Sequence, residues 1–270
     1  MDTAEEFLLR LKGYRRLAVA LSGGVDSATL AKAAALALGD HAMAVTAVSP
    51  FTSAEERRAA REVAQNTGLR QVEIETRELE DPRVAANDEE RCYHCKRDRF
   101  EQLAAWAEEE GVAPVAEGSN QDDRSDYRPG LRAVAELFPR VVSPFLEAGW
   151  GKAEIRRQAK TWGLSVWNKP SAACLASRVA YGLPLTVERL AMVEAAERAV
   201  RPFAAGQLRV RHHGSLARIE AEPKALPCLI AHREEIAAAL RTVGFSYVTL
   251  DLAGYRTGSA NEVLALSVRQ

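Results

Sequence analysis

Residues 17–27 read LAVALSGGVDS, which joins a strand, a glycine turn and the start of a helix in one short segment. The apolar residues 17–21 favour a strand, SGGVDS at 22–27 favours a tight turn, and ATLAKAAALAL after it favours a helix. Glycines let the backbone approach a ligand closely, while the N–H groups and the dipole of a helix N-terminus attract anions. The segment therefore predicts a phosphate-binding loop.

The polar residues of this turn suit a nucleotide. Ser22 and Ser27 offer hydroxyl donors, and Asp26 offers a carboxylate for Mg²⁺ that is bound to phosphate oxygens. The turn is shorter than the G-x-x-x-x-G-K-[ST] loop of other nucleotide-binding proteins, and it has no lysine. An ordinary glycine-rich turn without a ligand is the alternative, but the six-residue pattern in this context favours nucleotide binding.

Composition and charge limit the classes of function. The chain has 270 residues, enough for one large domain or two of ordinary size, and 47% of them are hydrophobic. Its 36 basic and 37 acidic residues give a net charge of −1, which speaks against a nucleic-acid partner. No apolar run approaches the ~20 residues that span a bilayer, and the acidic start MDTAEEFLLRLKG is unlike a signal peptide. We therefore expect a cytoplasmic protein with no membrane partner and with reduced cysteines.

Strand and helix patterns alternate along the first part of the chain. Strands are expected at 15–21, 41–48, 70–75, 113–117 and 140–143, with helices between them. This alternation predicts an α/β fold with a doubly wound parallel sheet, in which ligands bind beyond the carboxyl ends of the strands. The turn at 22–27 and the pair Gly118-Ser119 both follow strands, so we expect them to line one cleft.

The second part of the chain predicts a smaller α+β domain. Residues 163–185 have no clear periodicity, and they precede a long helix from Thr186, a hairpin of strands at 207–212 and 215–220, a helix at 224–241 and a strand at 246–251. We place the domain boundary in the unperiodic stretch, which gives domains 1–165 and 166–270.

Cys174 lies among small residues within that unperiodic stretch. Loops of this length are often functional, and the cations Lys169 and Arg178 lie nearby in sequence, as is typical of reactive cysteines. A reactive cysteine and a small buried cysteine are equally compatible with this setting.

The other three cysteines carry weaker expectations. Cys92 and Cys95 form a single C-x-x-C, which supplies only two of the four ligands that structural zinc needs. Packed cysteines in a loop are therefore slightly favoured over a redox dithiol. Cys228, near the start of an expected helix, is expected in the core.

Six segments spread over nearly the whole chain resemble one family. They are SGGVDS at 22–27, ERCYHCK at 90–96, EGSNQDDRSDYRPGLRA at 117–133, NKPSAACLASR at 168–178, RVRHHGSLARIE at 209–220 and YVTLDLAGYRTGSANEVL at 247–264. The first resembles the pyrophosphate loop of the ATP pyrophosphatase (PP-loop) superfamily. Together they resemble the LarE-type sulfur transferases, which help to build the nickel-pincer nucleotide cofactor of lactate racemase. The resemblance implies ATP and Mg²⁺, adenylation of a substrate carboxylate, and sulfur donation by Cys174, which is left as dehydroalanine.

The resemblance also implies which residues form the site. ATP is expected at Ala20, Ser22, Gly23, Gly24, Val25, Asp26, Ser27, Val48, Gly118 and Ser119. The implied substrate is a small nucleotide, pyridinium-3,5-biscarboxylic acid mononucleotide, with its phosphate on Arg209 and Arg211 and with Lys96, Arg128 and Arg178 as further anion contacts. The two arginines alternate along one strand and so share a face, although a solvated basic strand face is the alternative. The expected metal ligands are Asp26 and, as further candidates, Glu220 and Glu197.

Some members of this family hold an iron–sulfur cluster that supplies the sulfur. Cys174 has no other cysteine near it in sequence, which favours the sacrificial form, but a fold that brings Cys92 and Cys95 beside it would favour the cluster. Three other classes stay open: a tRNA thiolation enzyme, an amidotransferase resembling NAD or GMP synthetase, and a non-enzymatic nucleotide-binding module. The resemblance implies a homo-oligomer, a hexamer being one form.

Overall fold

The computed structural model describes residues 3–125, 129–170, 173–256 and 258–259. The chain divides into two compact units, one formed by Met1–Asp81 with Glu90–Ala172 and the other by Pro82–Glu89 with Ala173–Gln270. The short segment Pro82–Glu89 therefore belongs with the second half of the chain, which the sequence did not predict. The domain boundary after residue 165 stays a prediction.

A five-stranded parallel sheet forms the centre of the first unit. Its strand order is β3-β2-β1-β4-β5. The strands are β1 Leu17–Ala20, β2 Ala42–Val48, β3 Arg70–Glu75, β4 Val115–Ala116 and β5 Val141–Val142. All neighbouring strands pair in parallel, so their carboxyl ends lie at the same edge of the sheet.

Helices cover both faces of this sheet. They are α1 Ala4–Lys12, α2 Val25–Leu38, α3 Ala54–Thr67, α5 Arg91–Glu109, α6 Pro129–Glu136, α7 Pro144–Glu147 and α8 Lys152–Thr161. Leu17 and Val19 belong to one apolar cluster, whereas Ala18 between them belongs to another. Since successive strand residues point to opposite faces, the sheet is buried on both sides. The predicted α/β class with a doubly wound parallel sheet is confirmed.

The second unit has a smaller mixed sheet. It is formed by β6 Leu208–His213, β7 Leu216–Ala221 and β8 Tyr247–Leu250. Strands β6 and β7 form the predicted antiparallel hairpin, and β8 pairs with β7 in parallel. The helices of this unit are α4 Pro82–Ala85, α9 Val187–Val200, α10 Leu226–Ala231 and α11 Arg233–Val243.

Three local predictions were wrong. Helix α5 begins at Arg91, so Cys92 and Cys95 lie on a helix and not in the loop before it. The helix expected at 224–241 is interrupted at His232, which separates α10 from α11. Cys228, expected in the core, is exposed because α10 buries Leu229 instead.

Within the described ranges, none of the helices combines the length and the apolar composition that crossing a membrane requires.

Candidate functional site

The turn between β1 and α2 has a backbone shape that only glycine adopts readily. Gly23 has a φ of 74°, and a Cβ atom there would lie 2.6 Å from the backbone nitrogen of Ala60 in α3. Gly24 is the N-cap residue of α2. Both the left-handed conformation and the contact with α3 exclude a side chain at Gly23, so the local geometry requires glycine at this position.

Two serines brace this turn and leave the helix terminus open. The backbone N–H of Ser22 donates to the hydroxyl of Ser27 at 3.2 Å, and that hydroxyl donates to the carbonyl of Gly24 at 3.2 Å. Among the described residues, no side chain caps the N-terminus of α2. Its first N–H groups, with the positive end of the helix dipole, therefore form a site suited to phosphate oxygens.

The other predicted nucleotide residues lie at the same edge of the sheet. Ala20 and Val48 are the last residues of β1 and β2, and Gly118-Ser119 follow β4 closely. A Cβ atom at Gly118 would lie 3.1 Å from the Cβ of Asp26. The loop after β4 therefore packs directly on the phosphate-binding turn, and the predicted nucleotide residues surround one edge.

Within the part of the chain that the structure describes, one of the two carboxylate oxygens of Asp26 accepts a hydrogen bond and the other does not. Its Oδ2 accepts from Nζ of Lys152 at 2.5 Å, whereas its Oδ1 is buried and has no hydrogen-bond partner among the described residues. Burial raises the pKa of Asp26, and Lys152 opposes that effect without cancelling it. A buried, unpartnered carboxylate oxygen beside a phosphate-binding turn is a suitable Mg²⁺ ligand, since Mg²⁺ in nucleotide sites takes one or two carboxylates together with phosphates. The residues present therefore fit the implied metal.

Sequence reasoning missed the cations that gather around this turn. Lys152 begins α8, where its backbone N–H donates to the carboxylate of Asp122 at 2.6 Å. Lys169 donates from Nζ to the carbonyl of Gly23 at 3.2 Å, and Arg156 donates to the carbonyl of Lys169 at 3.3 Å. The turn has no lysine of its own, and the fold supplies cations from α8 and from the segment after it. No local sequence signal links these residues to the turn.

Lys96 of α5 lies close to the same edge of the sheet. Its Nζ donates to the carboxylate of Glu117 at 3.0 Å and to the hydroxyl of Ser119 at 3.3 Å. Lys96 thus contacts one of the predicted nucleotide residues, and its predicted role with the substrate stays a prediction.

In the second unit, Cys174 is the N-cap residue of a short 3₁₀ helix, Leu175–Arg178, and is half-buried. Arg178 is buried and donates to the carbonyls of Ala173 and Cys174, the latter at 2.9 Å. It also donates to Oγ of Ser177 at 3.0 Å. Arg178, which was predicted to contact substrate, therefore holds the two backbone carbonyls that flank the Cα atom of Cys174.

Arg209 and Arg211 lie on one face of β6, on either side of the core residue Val210. Arg211 donates twice to Oε2 of Glu220, at 3.0 and 2.8 Å. Arg209 lies over the ring of Tyr255, with 5.3 Å between its Cζ and the ring centroid. Burial lowers the pKa of Arg209, and the neighbouring charge of Arg178 lowers it further. A desolvated guanidinium such as that of Arg209, close to a second cation, favours an anionic ligand.

The two glutamates predicted as further metal ligands are paired with cations. Glu220 is buried, and although burial raises its pKa, Arg211 and Arg218 lower it below the ordinary value. Glu197 accepts from Nε of Arg178 at 3.0 Å. Across the described ranges, no group of three or more His, Cys, Asp or Glu side chains is arranged to hold a metal ion. The metal roles of Glu197 and Glu220 stay predictions.

Arg128 lies outside the described residues. Cys92 and Cys95 lie one turn apart at the start of α5, and each sulfur is close to a guanidinium: Arg91 at 3.3 Å from Cys92 and Arg99 at 4.0 Å from Cys95.

Comparisons with known proteins agree with this arrangement. The asparagine synthase family model matches residues 7–93, which include the turn between β1 and α2. An uncharacterized protein of Synechocystis sp. is 41% identical over 92% of this chain and 93% of its own length. An uncharacterized protein of Methanocaldococcus jannaschii is 31% identical over 90% of this chain and 92% of its own length.

A third relative has a named activity. The pyridinium-3,5-bisthiocarboxylic acid mononucleotide synthase of Lactiplantibacillus plantarum is 35% identical over 94% of this chain and 92% of its own length. The similarity covers both units and includes the phosphate-binding turn. This chain belongs to the LarE-type family of ATP-dependent sulfur transferases, within the PP-loop ATP pyrophosphatases.

Proposed function

We propose that this chain uses ATP to adenylate a carboxylate of pyridinium-3,5-biscarboxylic acid mononucleotide and then gives that carboxylate the sulfur of Cys174, as a step in nickel-pincer nucleotide synthesis. The name of the Lactiplantibacillus plantarum relative supports the substrate class. The observation that carries the proposal is the open N-terminus of α2 beside Asp26, whose Oδ1 has no partner among the described residues.

Activation comes first because a carboxylate is a poor electrophile. Attack of a carboxylate oxygen on the α-phosphorus of ATP forms an acyl-adenylate and releases pyrophosphate. The N–H groups of α2 and the hydroxyl of Ser22 donate to the departing oxygens, and Lys152 brings a positive charge to the same place. Mg²⁺ held by Asp26 would supply further charge neutralisation of the phosphate oxygens.

Sulfur transfer follows in two steps. The thiolate of Cys174 attacks the acyl carbon, and AMP leaves with the electron pair of the broken C–O bond, which gives a thioester to the protein. Loss of the Cα proton of Cys174 then breaks its Cβ–S bond, and the bonding electrons stay on sulfur. The products are a thiocarboxylate and dehydroalanine at position 174, so no oxidant or reductant is required.

The second unit supplies the groups for orientation. Arg178 holds the carbonyls of Ala173 and Cys174, so the backbone that carries the thiol of Cys174 has a defined position. Arg209 and Arg211 share one strand face, and planar guanidinium groups suit the phosphate of a mononucleotide.

Sulfur supply from an iron–sulfur cluster is the second candidate. The observation that favours it is the placement of Cys92 and Cys95 one turn apart on α5, since cysteine thiolates are the usual ligands of such clusters. In this form of the enzyme, residue 174 would remain a cysteine after turnover.

The intact mass of the protein after turnover tests both candidates. The purified full chain is incubated with ATP, Mg²⁺ and the dicarboxylate mononucleotide, and its iron content is measured beforehand. The proposal expects one dehydroalanine at residue 174 for each thiocarboxylate formed, and protein lighter by one H₂S. Unchanged Cys174 with repeated turnover by iron-containing protein would favour the cluster.

Matched variants separate activation from transfer. Cys174→Ser is expected to release pyrophosphate but to form no thiocarboxylate, because activation does not use the thiol. Cys228→Ser, which alters an exposed cysteine of the same unit, serves as the control and is expected to retain both steps. An amidotransferase would show no mass change, and a persulfide-using tRNA thiolation enzyme would first gain sulfur.

We also propose, from the family resemblance, that the enzyme is a cytoplasmic homo-oligomer. Light scattering of the purified chain measures its state directly, and a monomer at all concentrations would contradict this proposal.

A further inference from the structure

Glu117 is a buried carboxylate at the end of β4 that accepts hydrogen bonds from three parts of the first unit. The residue is 4% exposed. Its Oε2 accepts from Lys96 at 3.0 Å and from the hydroxyl of Ser119 at 2.7 Å. Its Oε1 accepts from the backbone of Ser119 at 3.1 Å and from the hydroxyl of Ser143 at 2.5 Å. One carboxylate therefore joins α5, the loop after β4 and the end of β5.

These contacts keep Glu117 charged. Burial by itself raises the pKa of Glu117, but Lys96 and the hydroxyls of Ser143 and Ser119 lower it more, and the resulting pKa lies below the ordinary value. The carboxylate therefore stays ionised at neutral pH and attracts the ammonium group of Lys96.

Lys96 is confined along its whole length. Gly130 of α6 faces its stem, and a Cβ atom there would lie 2.9 Å from Cδ of Lys96. Its Nζ lies 5.7 Å from the centroid of the Phe100 ring. An ammonium group has three N–H donors, and Glu117 and Ser119 take two of them. The side chain remains 28% exposed, so the ammonium group also faces solvent.

The place that Lys96 faces adjoins the phosphate-binding turn. Lys96 bonds to Ser119, and the preceding residue Gly118 packs against Asp26, where a Cβ atom would lie 3.1 Å from the Cβ of Asp26. Two consecutive residues, Ser119 and Gly118, therefore connect the ammonium group of Lys96 to the turn.

Stability alone does not account for this pair. Replacing a buried ion pair by apolar side chains of similar volume is often neutral or stabilising, because both charges lose hydration. A partly exposed lysine fixed by a buried glutamate is better explained by a ligand that the lysine must meet in one position.

We propose that Glu117 is a positioning residue, which holds the ammonium group of Lys96 so that its remaining N–H donates to an anionic oxygen of the bound nucleotide. This inference rests on the proposed function, because it requires a nucleotide at the edge of the sheet. It assigns Lys96 to ATP, and it gives the neighbouring carboxylate of Glu117 a role.

Calorimetric titration of the full chain with ATP and Mg²⁺ tests this inference. Lys96→Met is expected to weaken ATP binding about tenfold through loss of one charge-assisted hydrogen bond. Glu117→Gln keeps the shape of the side chain but removes its negative charge, and the same loss of ATP affinity, about tenfold, is expected as for Lys96→Met. The double variant is expected to lose no more than either single variant, because both changes remove one interaction. A structural role for Glu117 would lower the melting temperature without producing this coupling.

A control variant makes the result specific. Glu108→Gln alters an exposed glutamate on α5 that lies outside the contacts of Glu117 and Lys96, and it is expected to bind ATP as the wild type does. If Glu117→Gln does not fold, Glu117→Asp takes its place: affinity must still fall, and adding Lys96→Met must cause no further loss.

The outcomes distinguish this inference from the proposed function. Wild-type affinity in the Glu117 variants, or a double variant in which the two losses multiply, would overturn the inference while ATP binding by the wild type keeps the proposed function intact. A wild type that binds no ATP would overturn both.

Discussion

Asp26 and Lys152 are 126 positions apart in the sequence, and their side chains meet at 2.5 Å beside the phosphate-binding turn. Asp26 lies in the first turn of α2, after the first strand, whereas Lys152 begins α8 near the end of the first unit. Lys152 donates to Oδ2 of Asp26, whereas Oδ1 of the same carboxylate has no hydrogen-bond partner among the described residues. A positive charge is thus held beside the turn by a contact between two residues that are far apart in the sequence.

Changing Asp26 to asparagine is expected to slow pyrophosphate release about a hundredfold or more, because metal-assisted charge neutralisation contributes several kcal/mol to phosphoryl chemistry. Asparagine has nearly the same shape, so the melting temperature should change little. The measurement is pyrophosphate formation with ATP, Mg²⁺ and substrate. Asp40→Asn, at an exposed aspartate of the same unit, is the control. Pyrophosphate release at the wild-type rate in Asp26→Asn would show that the turn does not act on ATP.

Replacing Lys152 with methionine is expected to raise the pH below which the affinity for ATP falls. Burial raises the pKa of Asp26, and Lys152 counteracts this effect. A raised pKa means that the carboxyl group holds its proton more tightly, so protons compete with Mg²⁺ and affinity falls as pH falls through that pKa. Without Lys152 the pKa rises further, and the loss begins at higher pH. Titrations of ATP and Mg²⁺ between pH 4 and 8 measure the shift, and coincident wild-type and variant profiles would contradict it.

Arg209→Ala and Arg211→Ala are expected to differ in stability although both weaken substrate binding. Losing a charge-assisted contact to the substrate phosphate should cost about tenfold or more in affinity for either variant. Arg211 also neutralises the buried Glu220, so its loss should cost about 3 kcal/mol of folding free energy. Thermal unfolding and separate titrations with substrate and with ATP provide the measurements. Equal loss of affinity for both ligands would place the arginines outside a substrate-phosphate site.

Arg178→Lys is expected to slow thiocarboxylate formation more than pyrophosphate release. Lysine keeps the charge but cannot donate at once to the carbonyls of Ala173 and Cys174 and to Glu197. The cysteine sulfur would then lose its fixed position relative to the acyl group, an effect of orientation on rate. Single-turnover measurement of both products separates the two steps. Equal slowing of both would mean that Arg178 supports the fold in general.

The sequence by itself determined the central sheet and the phosphate-binding turn. Short apolar runs such as AMAVTAV favour a strand, and the contiguous residues SGGVDS favour a turn with a left-handed glycine. Both signals come from residues that are adjacent in sequence, so they can be recognised without the tertiary structure. For the same reason the hairpin of β6 and β7 could be predicted from two alternating runs, although its turn lies at Gly214 and Ser215, one residue later than the sequence indicated.

The start of α5 could not be predicted in this way. Its N-cap residue, Glu90, makes no capping bond with its side chain, so the usual Ser, Thr, Asp or Asn start signal is missing. The apolar residues that α5 buries lie at 100–107, beyond its first turn, so the apolar pattern gives no signal for a helix at Cys92 and Cys95.

Only the tertiary structure decided which charges meet. The order β3-β2-β1-β4-β5 brings the ends of strands that are distant in sequence to one edge, where Lys152 reaches Asp26 and Lys96 reaches Glu117. Such pairs leave no periodic pattern in the sequence, because the distance between their residues along the chain depends on the helices and loops that separate the strands. Local sequence specifies backbone shape, whereas these long-range ion pairs depend on how the strands and helices pack.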